Sequence, residues 1–501
     1  MDSPLVSLSA VEARRLIGKR ELSPVELLDA CIARIDAINP AVNALAATCF
    51  QRARAEAREA ERAVLRGAPL GPLHGLPLGV KDLEETAGLL TTYGSPAFRA
   101  FVPEHDNAMV ARLRAAGAIL VAKTNTPEMG AGANTRNAVW GATGNPFDPR
   151  LNAGGSSGGS AVALATGMLP LATGSDLGGS LRIPAALCGV VGFRPSVGLV
   201  PGERKSLGWA PTWVSGPMGR TVADTRLQLS ASAGLAAGDP LSYAVDGALL
   251  ARATDVDPSS LRIGYTEDFG ICAVDDETRS IFRKKIAALA SIVKTCEPVA
   301  LDLGDADRVF DVIRAENFVA SFRETYERDP SLLGPNTRAN YEMGRSMSLA
   351  DVVRAHQQQT AMFRRFQTAF DEYDVIVSPV SPVTPFPWIE PHLAAINGQP
   401  LDTYYRWCAL TYVVTLLTNP ALSLPCGLDH ADMPFGLQII GPFRGDARVL
   451  DVAQALEASF ARDPSLRRPL PDLERLREPV PELRSIVTEP PVYREDPLVS
   501  H

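Results

Sequence analysis

Two short segments rich in glycine and serine, residues 154–160 and 176–182, constrain this chain more than any other feature of its sequence. Glycine permits positive φ angles and lets the backbone approach a ligand closely. Serine supplies a hydroxyl that can both donate and accept a hydrogen bond. Two such segments in close succession are more typical of a site for acyl transfer than of simple chain reversal.

The second segment lies between a predicted strand and a predicted helix. The apolar run 168–173 is typical of a short buried strand, and residues 181–187 of a helix with proline in its first turn. Ser180 therefore falls at a strand-to-helix turn, where the first helical N–H groups lack intrahelical partners. Such groups stabilise an oxygen that becomes negative when a carbonyl is attacked.

Two lysines end predicted strands ahead of these segments. Lys81 follows the apolar run 76–80, and Lys123 follows the run 118–122. A lysine can activate a serine only when it is neutral, and burial favours the neutral amine. The residues alone do not separate the two lysines as candidates for the base.

The order and spacing of these elements resemble the amidase signature family of serine hydrolases. The resemblance extends from about residue 8 to about residue 458 and is carried by four segments: residues 79–82, 154–160, 176–180 and 182–189. It implies a catalytic triad made of a nucleophilic serine, a second serine that follows a cis peptide bond, and a lysine. It implies neither a cofactor nor a metal.

Carried onto this chain, the resemblance implies that Ser180 is the nucleophile, Ser156 the cis-serine and Lys81 the base, whereas the lysine position at Lys123 is structural. Four backbone N–H groups are implied as candidates for the oxyanion hole: Leu177, Gly178, Gly179 and Ser180.

Alternating strand and helix patterns predict an α/β fold, and the resemblance implies a single amidase-signature domain with a central mixed β-sheet surrounded by helices. We expect N-terminal helices packed on the core in 1–70, a catalytic core in 71–460 with a variable substrate-pocket region in 305–410, and an extended tail in 461–501.

Two local features are also predicted. A capping box at Ser23 begins a helix that Pro40 ends, and the stretch 195–220 is expected to be rich in loops.

Composition narrows the class of protein. The chain is 46% hydrophobic and 21% charged, which is typical of a packed globular core. Its net charge of −8 argues against nucleic acid as a partner, because no excess of lysine and arginine is available for phosphates. We expect no secretory signal, no membrane span and, from seven scattered cysteines, a cytoplasmic location.

Other classes of protein fit parts of the sequence. Residues 154–158 match the G-x-S-x-G elbow of α/β-hydrolases, but turn-forming residues precede them, and the available histidines, His356, His392 and His430, have no distinctive context. A nucleotide-binding loop would need Lys-Ser or Lys-Thr after its glycines, where this chain has Ser160 and Ala161.

Within the family, the alternative is the A subunit of a tRNA-dependent amidotransferase. That subunit typically has Gln where this chain has Ile183, and Tyr-Gly where it has Val197 and Gly198. Both departures favour a stand-alone hydrolase. A non-catalytic binding relative is a further alternative, disfavoured because all three triad positions are filled.

The expected partner is a small-molecule amide, and the protein is expected to be a monomer or a homodimer. With few arginines near the predicted pocket, a neutral, hydrophobic amide is favoured, with esters and carbamates as further substrates. The residues expected to contact it are Met129, Gly130, Trp209, Trp213, Phe318 and Tyr341, with Phe386 and Trp388 as further aromatic candidates.

Overall fold

A mixed sheet of 11 strands lies at the centre of this computed structural model, which describes residues 3–203 and 205–492. Two short hairpins, β4 with β5 and β12 with β13, lie outside that sheet. The strands are β1 Leu45–Thr48, β2 Pro77–Lys81, β3 Ile119–Thr124, β4 Arg136–Asn137, β5 Gly141–Ala142, β6 Leu171–Asp176, β7 Val191–Arg194, β8 Val214–Gly219, β9 Arg262–Tyr265, β10 Thr295–Pro298, β11 Val375–Pro379, β12 Ala395–Ile396, β13 Gln399–Pro400, β14 Ala421–Leu428 and β15 Pro434–Ile440.

The order across the sheet is β1-β3-β2-β6-β8-β7-β14-β15-β11-β9-β10. Strands β3, β2 and β6 run parallel to one another, as do β11, β9 and β10, and the remaining neighbours are antiparallel. The α-helices are α1 Ala10–Gly18, α2 Pro24–Val42, α3 Phe50–Leu65, α4 Ala108–Ala115, α5 Gly158–Ala165, α6 Arg182–Cys188, α7 Val222–Ser232, α8 Gly247–Ala251, α9 Asp276–Ala290, α10 Ala306–Arg328, α11 Pro335–Arg345, α12 Leu349–Gln367, α13 Ala409–Leu416 and α14 Asp446–Phe460.

Helices cover both faces of the sheet. Successive strand residues point to opposite faces, and accordingly Val377 of β11 and Leu120 of β3 pack with α1, α4, α7, α9 and α14. Their neighbours face the other way: Ile376 packs with α10, α12 and α13, and Val121 with α2, α3 and α5. The predicted α/β class, with a central mixed sheet between helices, is confirmed.

Strand β8 was not predicted, because the sequence of 195–220 reads as loop. It contains Gly216 and Pro217, which are rare inside strands. Yet β8 pairs along its whole length with β6, while its ladder with β7 includes only Met218 and Gly219. Pro217 lies beyond the end of the β7 ladder, so a residue without an N–H is tolerated there.

The N-terminal region differs from expectation at two points. The capping box at Ser23 is present, but α2 continues through Pro40 to Val42. A proline this close to the end of a helix removes few of its backbone hydrogen bonds. The region also contributes β1, which pairs with β3 at the edge of the sheet.

The C-terminal tail is described as far as residue 492 and includes two 3-10 helices, Leu473–Leu476 and Pro481–Arg484. Val480 N–H donates to the carbonyl of Pro40, and the side chain of Leu483 is buried. The remainder of the predicted tail, 493–501, lies outside the described residues. Within the described ranges, no helix combines the length and apolarity needed to cross a bilayer.

Candidate active site

Lys81, Ser156 and Ser180 belong to three segments that meet at the carboxyl ends of two neighbouring strands inside the sheet. Strands β2 and β6 are parallel neighbours, so their carboxyl ends lie side by side. Lys81 is the last residue of β2, and Ser180 lies in the turn between β6 and α6. Ser156 lies just before α5, which packs against both strands.

The amine of Lys81 is surrounded by serine hydroxyls. The side chain is fully buried, and its Nζ lies 2.7 Å from Oγ of Ser156, 2.9 Å from Oγ of Ser157 and 3.0 Å from Oγ of Ser175. A neutral amine has two N–H donors and one lone pair, so it can match three hydroxyls by donating to two and accepting from one. The arrangement suits an amine that exchanges protons with a serine.

Burial also sets the charge of this amine. Desolvation lowers the pKa of Lys81 to about 7, although the negative charges of Glu84 and Asp176 act in the opposite direction. Near neutral pH a large part of Lys81 is therefore unprotonated and able to accept a proton.

Lys123, the other candidate, is also fully buried but has different neighbours. Its Nζ donates to the carbonyl of Glu84 and to the hydroxyls of Thr86 and Thr91, both at 3.2 Å. Burial lowers the pKa of Lys123 to about 8. The two strand-end lysines, which the residues alone left equivalent, thus differ in position: Lys81 contacts Ser156, whereas Lys123 supports the loop after β2.

The two glycine–serine segments contact each other beside Lys81. The peptide bond between Gly155 and Ser156 is cis, as the resemblance implied. Ser157 N–H donates to the carbonyl of Ser180 at 3.3 Å. Ser156 and Ser180 line the same cavity, so both hydroxyls are accessible to one ligand.

A buried carboxylate fixes the turn that holds Ser180. Asp176, at the end of β6, lies 2.9 Å from the guanidinium of Arg182 and 3.4 Å from that of Arg194. Burial by itself raises the pKa of Asp176, but the charges of the two arginines outweigh it and hold the pKa well below its usual range. These contacts give Asp176 and Arg182 a structural role.

The expected oxyanion donors are not equivalent. Gly179 N–H donates to Asp176 at 2.8 Å, so this group is already engaged within the protein. Gly179 has φ +124, and a Cβ there would lie 2.1 Å from Oγ1 of Thr411, so only glycine fits. Leu177, Gly178 and Ser180 border the smaller cavity described below and remain as candidate donors.

A cavity of about 330 Å³ opens beside the two serines. Several predicted substrate contacts line it: Met129, Gly130, Trp213 and Phe318. A smaller cavity of about 40 Å³ adjoins Ser180 on the side of α6 and α10. The larger cavity also has charged side chains that the sequence did not place there: Glu84, Glu85, Lys205 and Arg314.

The remaining aromatic candidates lie elsewhere. Trp209 is 77% exposed, and Tyr341 is buried in a stack with Tyr326. Phe386 packs edge-on against Trp407, and Trp388 belongs to a small cluster with Ala142 and Leu483. None of these four is among the described residues that line the cavity beside Ser156 and Ser180, so their contact with a substrate stays a prediction. Aromatic residues serve packing as readily as binding, and only their buried contacts distinguish the two roles.

Two contacts of Lys81 were missed from the sequence, those with Ser157 and Ser175. Thr173 and Ser175 lie two residues apart in β6 and therefore share a face. The backbone N–H of Lys81 donates to Oγ1 of Thr173, and its Nζ to Oγ of Ser175. The alternation of hydroxyls along this strand was the signal available in the sequence.

The elbow of an α/β-hydrolase is not formed. Residues 151 and 152, ahead of the first segment, make only isolated bridges and no strand. In the part of the chain that the structure describes, no histidine lines the cavity beside Ser156 and Ser180.

Comparison with known proteins agrees with this geometry. The Amidase family model matches residues 26–450. An acylamidase from Rhodococcus erythropolis is 34% identical over 90% of this chain and 95% of its own length. The A subunit of a glutamyl-tRNA(Gln) amidotransferase from Acaryochloris marina is 32% identical over 91% of this chain and 98% of its own.

Solved structures show the same fold. A bacterial aryl acylamidase of the amidase signature family superposes with a TM-score of 0.82 at 27% identity, covering 97% of this chain and 99% of that one. A 6-aminohexanoate cyclic dimer hydrolase superposes with a TM-score of 0.79 at 29% identity, covering 91% and 97%.

The chain belongs to the amidase family, which confirms the resemblance read from its glycine–serine segments. It is an amide hydrolase, an enzyme that acts on carbon–nitrogen bonds.

Proposed function

We propose that Lys81, Ser156 and Ser180 form a proton relay for hydrolysis through an acyl-enzyme. The observation that carries this proposal is the 2.7 Å contact between the buried Nζ of Lys81 and the hydroxyl of Ser156. A serine hydroxyl is a weak nucleophile until a base removes its proton. The neutral amine of Lys81 is placed to be that base.

In the first half-reaction, Ser180 attacks the amide carbonyl and passes its proton to Ser156, whose own proton goes to Lys81. The tetrahedral intermediate collapses as the C–N bond breaks, and the departing amine takes a proton returned through Ser156. In the second half-reaction, water gives a proton to the same relay and attacks the carbonyl of the Ser180 ester. The bond between the acyl carbon and Oγ of Ser180 then breaks, Oγ takes the proton back through Ser156, and the carboxylic acid leaves the regenerated enzyme.

We assign stabilisation of the oxyanion to the backbone N–H groups of Leu177, Gly178 and Ser180. These groups border the smaller cavity beside the nucleophile. Fixed donors at such a position stabilise the charge that develops on the carbonyl oxygen. Gly179 is assigned a structural role, because Asp176 already accepts its N–H.

The relay predicts how activity depends on pH. Because Lys81 must be neutral to accept a proton and burial lowers its pKa to about 7, activity is absent when the amine is protonated. We expect kcat/KM to rise with pH along a single-proton limb whose midpoint is near 7. Initial rates on an uncharged anilide from about pH 5 to about pH 9 measure it.

Two other pH profiles of kcat/KM would contradict this prediction. A kcat/KM that does not change over this pH range would mean that Lys81 is not the base. A kcat/KM that still rises steeply at the upper end would mean that the pKa of Lys81 stays at about 10, the ordinary value of an exposed lysine, and that the amine is protonated at neutral pH.

We propose a small, largely apolar amide as the substrate class. The larger cavity has a mixed wall, and its hydrophobic and aromatic side chains are Leu83, Met129, Leu177, Leu207, Trp213, Phe318 and Phe322. An acylamidase and an aryl acylamidase among the similar proteins agree with such a substrate. Activity on esters and carbamates stays a prediction, as do the cytoplasmic location and a homodimer.

The purified chain alone is expected to hydrolyse a hydrophobic anilide, and Trp213→Ala is expected to raise KM about 10-fold by removing buried apolar contact with the substrate. Steady-state kinetics without tRNA or other proteins measure both. The matched control is Trp209→Ala, which changes a tryptophan that is 77% exposed and outside the cavity.

The same assay separates the amidotransferase alternative. Activity that appears only when partner subunits and tRNA are added would make this chain an A subunit. Equal effects of Trp213→Ala and Trp209→Ala would remove the larger cavity from the proposal.

A further inference from the structure

Arg314, on α10, is a buried cation in the wall of the active-site cavities. It is 7% exposed and lines both the larger cavity and the smaller one, each of which also contains Ser180. Arg314 therefore borders the same space as the hydroxyl of Ser180.

The guanidinium of Arg314 makes no direct ion pair with a carboxylate. Within residues 3–203 and 205–492 it forms no salt bridge; its Nε donates to Oδ1 of Asn340 at 2.9 Å and its Nη2 to the hydroxyl of Tyr404 at 2.5 Å. Both acceptors are neutral. Asp311, one turn earlier on α10, accepts from the hydroxyl of Tyr405 and pairs with Arg406, which also pairs with Asp307 and Asp402.

Aromatic rings surround the rest of the guanidinium. Its carbon lies 4.8 Å from the ring centres of Phe318 and Tyr405, 5.6 Å from that of Tyr404 and 5.9 Å from that of Phe310. Such rings attract a cation and hold it in one orientation, but they do not neutralise its charge. Arg314 is therefore fixed in place with its charge available.

One nitrogen of the guanidinium is free to bind a ligand. Nη1 donates to no described protein atom. It is also not one of the polar atoms that are both fully buried and without a hydrogen-bond partner, so a ligand can reach it. Among the other charged groups that line the larger cavity, Lys205 lies 3.4 Å from Asp239. Glu84 accepts hydrogen bonds from the neutral side chains of Ser215 and Asn107, and Glu85 accepts one from the hydroxyl of Tyr93.

We propose that Arg314 binds a carboxylate carried by the substrate, so that the preferred amide is largely apolar but has one acidic group. A planar guanidinium matches a carboxylate better than any other common anion except phosphate, and a buried cation without a counter-ion is costly until a ligand supplies one. This inference rests on the proposed amidase function and replaces the neutral substrate favoured by the sequence.

Paired anilides test the proposal. In one pair the acyl chain ends in a carboxylate or in a methyl group; in the other the aniline ring carries a carboxylate or a methyl group. We expect wild-type kcat/KM for the acid of one pair to exceed that of its methyl analogue by at least about 10-fold, the size of one charge-assisted hydrogen bond. The pair that shows the preference identifies the half of the substrate that contacts Arg314.

The variant Arg314→Met is expected to bring the ratio of acid to methyl analogue close to one in that pair. Using a ratio cancels any general loss of active enzyme. The matched control is Arg345→Met, which removes an exposed arginine that also stacks on a tyrosine, Tyr326, but lies outside both cavities. The control is expected to keep the wild-type ratio.

Binding distinguishes failure of this inference from failure of the proposed function. Calorimetry with Ser180→Ala measures the affinity for each anilide without turnover. Tighter binding of an acid than of its methyl analogue, with the difference lost when Arg314→Met is added, supports the inference. If such binding is found but no anilide is hydrolysed by the wild-type protein, the inference stands and the proposed activity fails. Equal affinities within both pairs, or a ratio unchanged by Arg314→Met, would overturn it.

Discussion

Replacing Ser180 with alanine is expected to lower kcat by at least about 10⁴-fold, the loss typical of removing a nucleophile that acts within a relay. The same change is expected to abolish covalent labelling by a fluorophosphonate. The reason is that no acyl-enzyme or phosphonyl-enzyme can form without the Ser180 hydroxyl. Mass spectrometry of the labelled protein, together with kinetics on a hydrophobic anilide, measures both effects.

Locating the label requires care, because Ser156 and Ser180 lie in one tryptic peptide between Arg150 and Arg182. The modified residue has to be identified by fragmentation of that peptide. Ser331→Ala, at an exposed serine far along the chain, is the matched control and is expected to label normally. A label on Ser156 in the wild-type protein would reassign the nucleophile.

The second large effect concerns Lys81 and Ser156 together. Each of Lys81→Met and Ser156→Ala is expected to lower kcat by about 10⁴-fold, and the double variant by little more than the worse single one. Groups that pass one proton in series fail together, so removing the second after the first costs almost nothing. A double-mutant cycle on kcat/KM measures the coupling.

Ser157 provides an internal comparison for this cycle. Its hydroxyl also contacts Nζ of Lys81, at 2.9 Å, but the proposed relay does not use it. We expect Ser157→Ala to cost only about 10-fold, the effect of losing one buried hydrogen bond. If the losses from Lys81→Met and Ser156→Ala simply multiplied, the two residues would act independently and the relay would be wrong.

The site also explains why a neutral amine is stable so close to carboxylates. Asp176 is already paired with Arg182 and Arg194, and Glu84 accepts hydrogen bonds from Ser215 and Asn107. Neither carboxylate contacts the amine of Lys81 directly, so desolvation outweighs their attraction for a proton. Positioning by hydroxyls rather than by a salt bridge is what leaves the lysine able to act as a base.

Much of the fold was predictable because its signals are local. The capping box at Ser23, the apolar strand ending at Lys81 and the strand-to-helix turn at Ser180 each depend on neighbouring residues, and the structure contains all three. The errors arose where distant partners override local preference: Pro217 is in a strand because β6 supplies a complete ladder.

The candidate site shows the same division. The sequence by itself determined the presence and order of Lys81, Ser156 and Ser180, because glycine–serine segments of this kind can be recognised without a structure. Only the tertiary structure decided which lysine meets a serine, that Trp213 rather than Trp209 borders the cavity, and that Arg314 lines the same cavity as Ser180. Contact, burial and charge depend on residues far apart in the chain, and the parallel pairing of β2 with β6 brings the segments that contain Lys81 and Ser180 together.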